Sequence, residues 1–162
     1  MDIRQISPEL AVSPQISVAD IGVAAARGYR AIICNRPDGE GDDQTPNAQI
    51  EQAARDHGLA FKAIPVVSGQ MTPEDAAAFG AAMESLPGPV LAYCRTGTRS
   101  ASLWALSKAG RLSAEAILNA TAGAGYDLAG LRPQLDTAPG TVAAKPMARR
   151  CEVVIVGGGA GG

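Results

Sequence analysis

Apolar residues fall in two rhythms along the first 135 positions. Short apolar runs of strand length occupy 3–6, 10–12, 30–34, 61–67 and 90–93. Such runs, rich in Ile and Val and bounded by turn residues, predict buried strands. Between them the apolar spacing lengthens to that of helices, with start and stop signals at the expected places. Ser17 opens one helix, with Val18, Ile21 and Ala25 on one face and Gly28 as its stop. Thr45-Pro46 opens a second, ended by Gly58, and Thr72-Pro73 opens a third, with Asp75 in its first turn. Ser100 opens an apolar run over 101–106 that Gly110 stops. Ser113 caps a helix over 114–122, and Asp127 opens a last short one ending before Pro133. Strands alternating with helices, the first two strands forming an edge pair, predict an α/β domain with a mostly parallel central sheet flanked by helices. The 30–34 strand is expected at the centre.

One stretch carries candidate chemistry. The strand at 90–93 runs into Cys94-Arg95-Thr96-Gly97-Thr98-Arg99-Ser100 and then directly into a helix. A strand, a tight glycine-containing loop and a helix N-terminus in succession make an anion cradle of backbone N–H groups. A cysteine at its mouth, beside two arginines and the helix dipole, is favoured as thiolate. Cys94 is therefore the expected nucleophile and Arg99 the anion-holding residue. Gly97 lets the loop turn, Thr96 and Thr98 line it, Arg95 biases substrate charge, and Ser100 hydrogen-bonds the thiolate. Cys34, inside an apolar strand, reads instead as a buried structural cysteine. The polar loop 35–43 follows a strand, so it lies at the same sheet edge as Cys94 if both strands are parallel. Arg36 then either lends charge to the pocket or pairs with an aspartate in a solvated loop.

Composition narrows the function. The chain has 162 residues, a net charge of −2 and 4% aromatic residues. No basic stripe for nucleic acid appears, nor any apolar run of the roughly 20 residues a membrane span needs. Three widely spaced cysteines give no disulfide framework and point to a reducing cytoplasm. A single histidine, His57, and no cysteine pair at ligand spacing argue against a zinc site.

The Cys-x-x-Gly-x-Arg loop at 94–99 resembles the active-site loop of rhodaneses, which move sulfane sulfur through a cysteine persulfide. The surrounding chain resembles the dual-specificity-phosphatase-like domain (DUF442) of beta-lactamase-hydrolase-like proteins. That likeness rests on Ile33-Cys-Asn-Arg-Pro-Asp-Gly-Glu40, on Gly58-Leu-Ala-Phe-Lys-Ala-Ile-Pro65 and on Cys94-Arg-Thr-Gly-Thr-Arg-Ser-Ala-Ser-Leu-Trp104. It implies a protein-tyrosine or dual-specificity-phosphatase-like fold. The sequence departs from phosphatases in three ways. Ser100 stands where their arginine does, one residue after Arg99. Tyr93 replaces the histidine before their cysteine. No acid occurs at 61–68, where the loop bearing their general acid is expected, and Asp75 and Glu74 are the nearest carboxylates after it. A phosphate ester needs a proton for its leaving oxygen, whereas sulfur transfer does without one.

Residues 136–150 are rich in Pro, Ala, Gly and Thr and read as a linker. Residues 151–162 give a strand and then Gly157-x-Gly159-x-x-Gly162, the fingerprint of a dinucleotide-binding domain. This resembles the opening of flavin-dependent pyridine-nucleotide-disulfide or sulfide:quinone oxidoreductases. The expected organisation is a catalytic domain over 1–135, a linker over 136–150, and at 151–162 the start of a further domain that would bind FAD. The first domain needs no cofactor of its own. The expected function is a sulfurtransferase taking sulfane sulfur from thiosulfate or a persulfide onto Cys94, partnered with that flavoenzyme domain. A cysteine-dependent phosphatase, with Asp75 as a possible acid, is the alternative. A non-catalytic anion-binding module is a third reading.

Overall fold

The computed structural model describes residues 2–42 and 44–136. A five-stranded sheet is formed by β1 (Arg4–Ser7), β2 (Leu10–Ser13), β3 (Ala31–Cys34), β4 (Ala60–Ala63) and β5 (Val90–Tyr93), in the order β1-β2-β5-β3-β4. β1 and β2 form an antiparallel edge pair, while β5 pairs in parallel with β2 and β3, and β3 with β4. The central strand is therefore β5, not β3. It is inserted between two strands that precede it in sequence, an ordering that no local pattern encodes.

Helices cover both faces. α1 (Val18–Ala26) and α2 (Asn47–Asp56) pack Ile21, Ala24, Ile50, Ala53 and Ala54 against Ala11, Ile32, Cys34, Leu91 and Tyr93. α3 (Pro73–Ser85), α4 (Thr98–Lys108) and α5 (Ala114–Gly123) pack Phe79, Ala82, Leu103, Trp104 and Ile117 against Leu10, Val12, Ile33, Val90 and Ala92. A short 3-10 turn (Ala129–Leu131) and α6 (Arg132–Asp136) follow, with Leu135 in the second core. The strand period of two sorts consecutive residues between the cores. Leu91 and Tyr93 face α1 and α2, whereas Val90 and Ala92 face α3 and α4. All four β5 residues are buried, which is why this strand is apolar throughout rather than alternating.

Several local signals act as expected. Ser17 with Asp20 and Thr72 with Asp75 form reciprocal capping boxes, and Ser113 accepts from the Ala116 N–H. Others shift. Val18 is exposed, and Ala24 rather than Ala25 turns inward with Ile21. Thr45 does not cap α2, because Asp38 from the preceding loop takes the Asn47 N–H at 2.7 Å. β4 ends at Ala63, two residues before Pro65, which has no N–H for a ladder. α4 begins at Thr98 rather than Ser100, because Gly97, at φ +95°, is the last non-helical residue. α6 continues through Pro133, which sits near its start, where a missing N–H costs nothing.

Candidate functional site

β3 and β5 are parallel with Cys34 opposite Tyr93, so the segments after both leave the same sheet edge. The strand period puts Cys94 on the α4 side and Cys34 on the other. Cys94 is fully buried at the end of β5, and its sulfur accepts the Gly97 N–H at 3.0 Å. Gly97 is required here twice over. Its positive φ suits glycine, and a Cβ would fall on the Tyr126 hydroxyl. Thr96 and Thr98 are exposed and bond each other, Oγ1 to Oγ1, at 3.1 Å. The exposed Arg95 lends its carbonyl to the Gln15 N–H at 3.2 Å.

α1, α3 and α5 each have a side-chain N-cap, but α4 has none. Thr98 N–H reaches Thr96 Oγ1 only at 3.4 Å. The first turn of α4 thus keeps N–H groups for an anion beside Cys94.

Arg99, in that first turn, is fixed along one edge. Nη1 donates to Glu40 Oε2 at 2.9 Å and to the Val66 carbonyl at 2.7 Å, and Nη2 donates to Glu40 Oε1 at 2.7 Å. Three of the five guanidinium donors are then used. Nε–H and the second Nη2–H, which share the other edge, are left free by these partners, and the Cys94 sulfur lies near enough to favour the charged guanidinium. A planar fork with one edge anchored and the other free is suited to bidentate oxyanion binding.

Glu40 also accepts from Arg36 Nε at 2.8 Å. Its side chain is only 26% exposed. Hydrogen bonding from Arg99, aided by Arg36 and opposed by desolvation, holds its pKa at about 2. The same contact with Glu40 raises the pKa of Arg99, the Cys94 sulfur adding to the shift. Arg36 itself is buried, with Nη1 on Gln15 Oε1 at 3.0 Å. It neither lines an open pocket nor pairs with an aspartate in a solvated loop, and instead supports Glu40. Gln44 closes the 37–41 turn, donating to the Pro37 carbonyl and accepting from the Glu40 and Gly41 N–H groups.

A carboxylate with a depressed pKa contributes stability above its unfolded value, near 4.3, and loses it as pH falls through about 2. The Glu40→Gln variant is therefore expected to be less stable than wild type at neutral pH but to lose less between pH 5 and pH 2. Thermal unfolding across that range measures the two slopes, and parallel curves would refute the clamp.

Ser100 departs from expectation. Its hydroxyl is fully buried and donates to Asn35 Oδ1 at 2.8 Å, not to the thiol. Asn35 in turn donates through Nδ2 to the Ile64 carbonyl at 3.0 Å and through its backbone N–H to the Tyr93 carbonyl at 2.8 Å. This fully buried amide joins the ends of β3, β4 and β5 to the first turn of α4. Ser100→Ala leaves a buried acceptor unpaired, and a loss of about 1–3 kcal/mol is expected in urea unfolding.

Asp75 also departs from the acid role. Its carboxylate accepts the Thr72 N–H at 3.0 Å in the α3 capping box. Cys34 is buried as expected, with burial pushing its thiol pKa up. Burial likewise pushes up the Tyr93 phenol. Gly157, Gly159 and Gly162 lie outside the described residues, as do the 137–150 stretch and Cys151. Among the described residues no group of three or more His, Cys, Asp or Glu is placed to hold a metal. None of their helices is long and apolar enough to cross a membrane.

Sequence reasoning passed over Glu40, Asn35 and Tyr126. Glu40 and Asn35 stood in the loop after β3, already expected at the Cys94 edge, and a carboxylate there is a natural partner for Arg99. Tyr126 gave no signal, since its proximity depends on how α5 packs.

A cysteine and an arginine at a strand–loop–helix turn on a mostly parallel sheet mark an anion-handling α/β domain of the phosphatase-like or rhodanese-like kind. Residues 2–111 match the family described as the beta-lactamase hydrolase-like protein, phosphatase-like domain, and the chain belongs to that family. A beta-lactamase hydrolase-like protein of Xylella fastidiosa is 38% identical over 130 residues, covering 79% of this chain and 30% of the relative. The chain thus spans about a third of the length of that relative. A crystal structure of a candidate phosphatase from Neisseria meningitidis is 36% identical with a TM-score of 0.76, covering 84% of this chain and 97% of that one. TpbA of P. aeruginosa, solved as a Cys-to-Ser variant with phosphotyrosine, has a TM-score of 0.56 at 16% identity, covering 83% and 90%. That last likeness establishes the fold alone. The family match and the Neisseria structure favour the phosphatase-type reading over the rhodanese-type one expected first.

Proposed function

We propose that this domain is a cysteine-dependent hydrolase of phosphate monoesters. The observation that carries the reading is Arg99, anchored by Glu40 and Val66 along one edge and open along the other, beside Cys94 at an uncapped helix N-terminus. The Cys94 thiolate attacks phosphorus while Nε–H and Nη2–H of Arg99 and the first-turn amides of α4 hold the non-bridging oxygens. The ester P–O bond breaks, and the leaving oxygen departs as the alkoxide or phenoxide and takes its proton from solvent water. Water then attacks the S-phosphocysteine, the S–P bond breaks, and inorganic phosphate leaves with Cys94 restored as thiolate.

One observation favours a second reading. Glu40 is held ionised and Asp75 is committed to its cap, so neither supplies a proton to a leaving group. Transfer of sulfane sulfur from thiosulfate expels sulfite, which needs none. In that case Cys94 carries a persulfide, taken either from thiosulfate as sulfite leaves or from a low-molecular-weight persulfide as its thiolate leaves, the latter made by a flavoenzyme partner that the resemblance of residues 151–162 implies. The discriminating experiment incubates the protein with p-nitrophenyl phosphate and, separately, with thiosulfate followed by intact mass. Phosphate release competitively inhibited by inorganic phosphate is expected. No release, with one added sulfur on Cys94, would replace the first reading by the second.

A further inference from the structure

We infer that Tyr126 is a positioning residue for Cys94, acting through the single peptide unit between Thr96 and Gly97. The Tyr126 hydroxyl donates to the Thr96 carbonyl at 3.3 Å. The N–H of that same peptide belongs to Gly97 and donates to Cys94 Sγ at 3.0 Å. In a trans peptide the C=O and N–H point in opposite directions. The unit is therefore held from both sides, by a phenol on its oxygen and a sulfur on its nitrogen. Rotating the peptide to break one bond breaks the other. A donor on the carbonyl also polarises the N–H, so the two bonds strengthen each other.

Glycine at 97 is what makes this bridge possible. Any Cβ there would occupy the position of the Tyr126 hydroxyl. Tyr126 comes from the turn after α5, where Gly125 takes φ +95° and the Tyr126 N–H donates to the Thr121 carbonyl at 2.9 Å. The ring is half-buried against the α3–α4 core. Burial, and then the sulfur of Cys94, push the phenol pKa up, which keeps the hydroxyl a donor at neutral pH. The titratable and charged groups facing the sulfur are Arg99 from α4 and Tyr126 from the α5 turn, while Cys34, on the other side of the sheet, acts on it only electrostatically. Of these, Tyr126 is the one joined to the sulfur through the loop backbone.

The inference rests on the Cys94 site proposed above, but its test does not need turnover. Iodoacetamide labelling of Cys94, located by peptide mass and followed against pH, is compared in wild type, Tyr126→Phe and Tyr126→Leu. Without the hydroxyl the Gly97 N–H is less firmly aimed at the sulfur. The labelling profile of Tyr126→Phe should move to higher pH, with a several-fold lower rate at neutral pH and little change in thermal midpoint. Tyr126→Leu, which loses the ring as well, should give the same profile. Superimposable profiles for wild type and Tyr126→Phe would overturn the inference. A much larger shift in Tyr126→Leu than in Tyr126→Phe would assign the effect to ring packing and overturn it as well. Loss of p-nitrophenyl phosphate turnover in all forms, with the profiles shifted as expected, would instead reject the hydrolase reading and leave this one standing.

Discussion

Cys94→Ser is expected to lower phosphate release by on the order of 10⁴-fold or more, the scale seen when a covalent nucleophile is removed. The serine oxygen takes the place of the sulfur at the mouth of the loop, within reach of the Gly97 N–H that now meets Cys94 Sγ. The fold has no reason to change, because the smaller oxygen introduces no clash at a fully buried site. What is lost is the anion that attacks. A serine hydroxyl stays protonated at neutral pH, and no base faces it, since Glu40 is engaged by both Arg36 and Arg99. Binding should therefore survive while chemistry stops. Titration calorimetry with inorganic phosphate, set beside turnover of p-nitrophenyl phosphate, separates the two. Turnover at the wild-type level would remove Cys94 from the mechanism altogether.

Arg99→Lys follows, with an expected loss of about 10²–10³-fold in kcat, comparable to removing an oxyanion-binding donor. Lysine keeps the charge but not the fork. In the native site one edge of the guanidinium is spent on Glu40 and Val66, and this aims the other. An ammonium has three donors around a single nitrogen and cannot face Glu40 and a bound phosphate with two parallel bonds each. The retained charge predicts a smaller change in KM than in kcat. A variant that lost KM alone would show that Arg99 contributes only attraction, and the anchored-edge argument would fail.

Much of the fold could be read without coordinates because its signals are local. The capping residues Ser17, Thr72 and Ser113, the glycine stops at Gly28 and Gly58, and the apolar runs of β2, β3 and β5 act over a few residues. The strand–loop–helix turn around Cys94 was legible for the same reason. Cys94, Gly97 and Arg99 lie within six consecutive positions, and any such turn brings them together. The misplacements also had local character with a distant cause. Thr45 lost its capping part to Asp38, and Ser100 turned from the sulfur to Asn35, because a competing partner arrived from elsewhere in the chain.

The sequence by itself determined which elements form, that the sheet is mostly parallel, and that one cysteine loop carries the candidate chemistry. These follow from period, caps and turn residues, whose free energies are settled within one or two turns of chain. The tertiary structure decided that β5 lies at the centre and that Arg99 answers to Glu40 across 59 positions. It also decided that Arg36 supports that pair and that Tyr126 reaches back 30 positions to the Thr96 carbonyl. Each is a pairing of a donor with an acceptor from another element. A sequence offers many such partners of equal chemistry, and only the packing of strands and helices against the two cores brings one pair within bonding distance and excludes the rest.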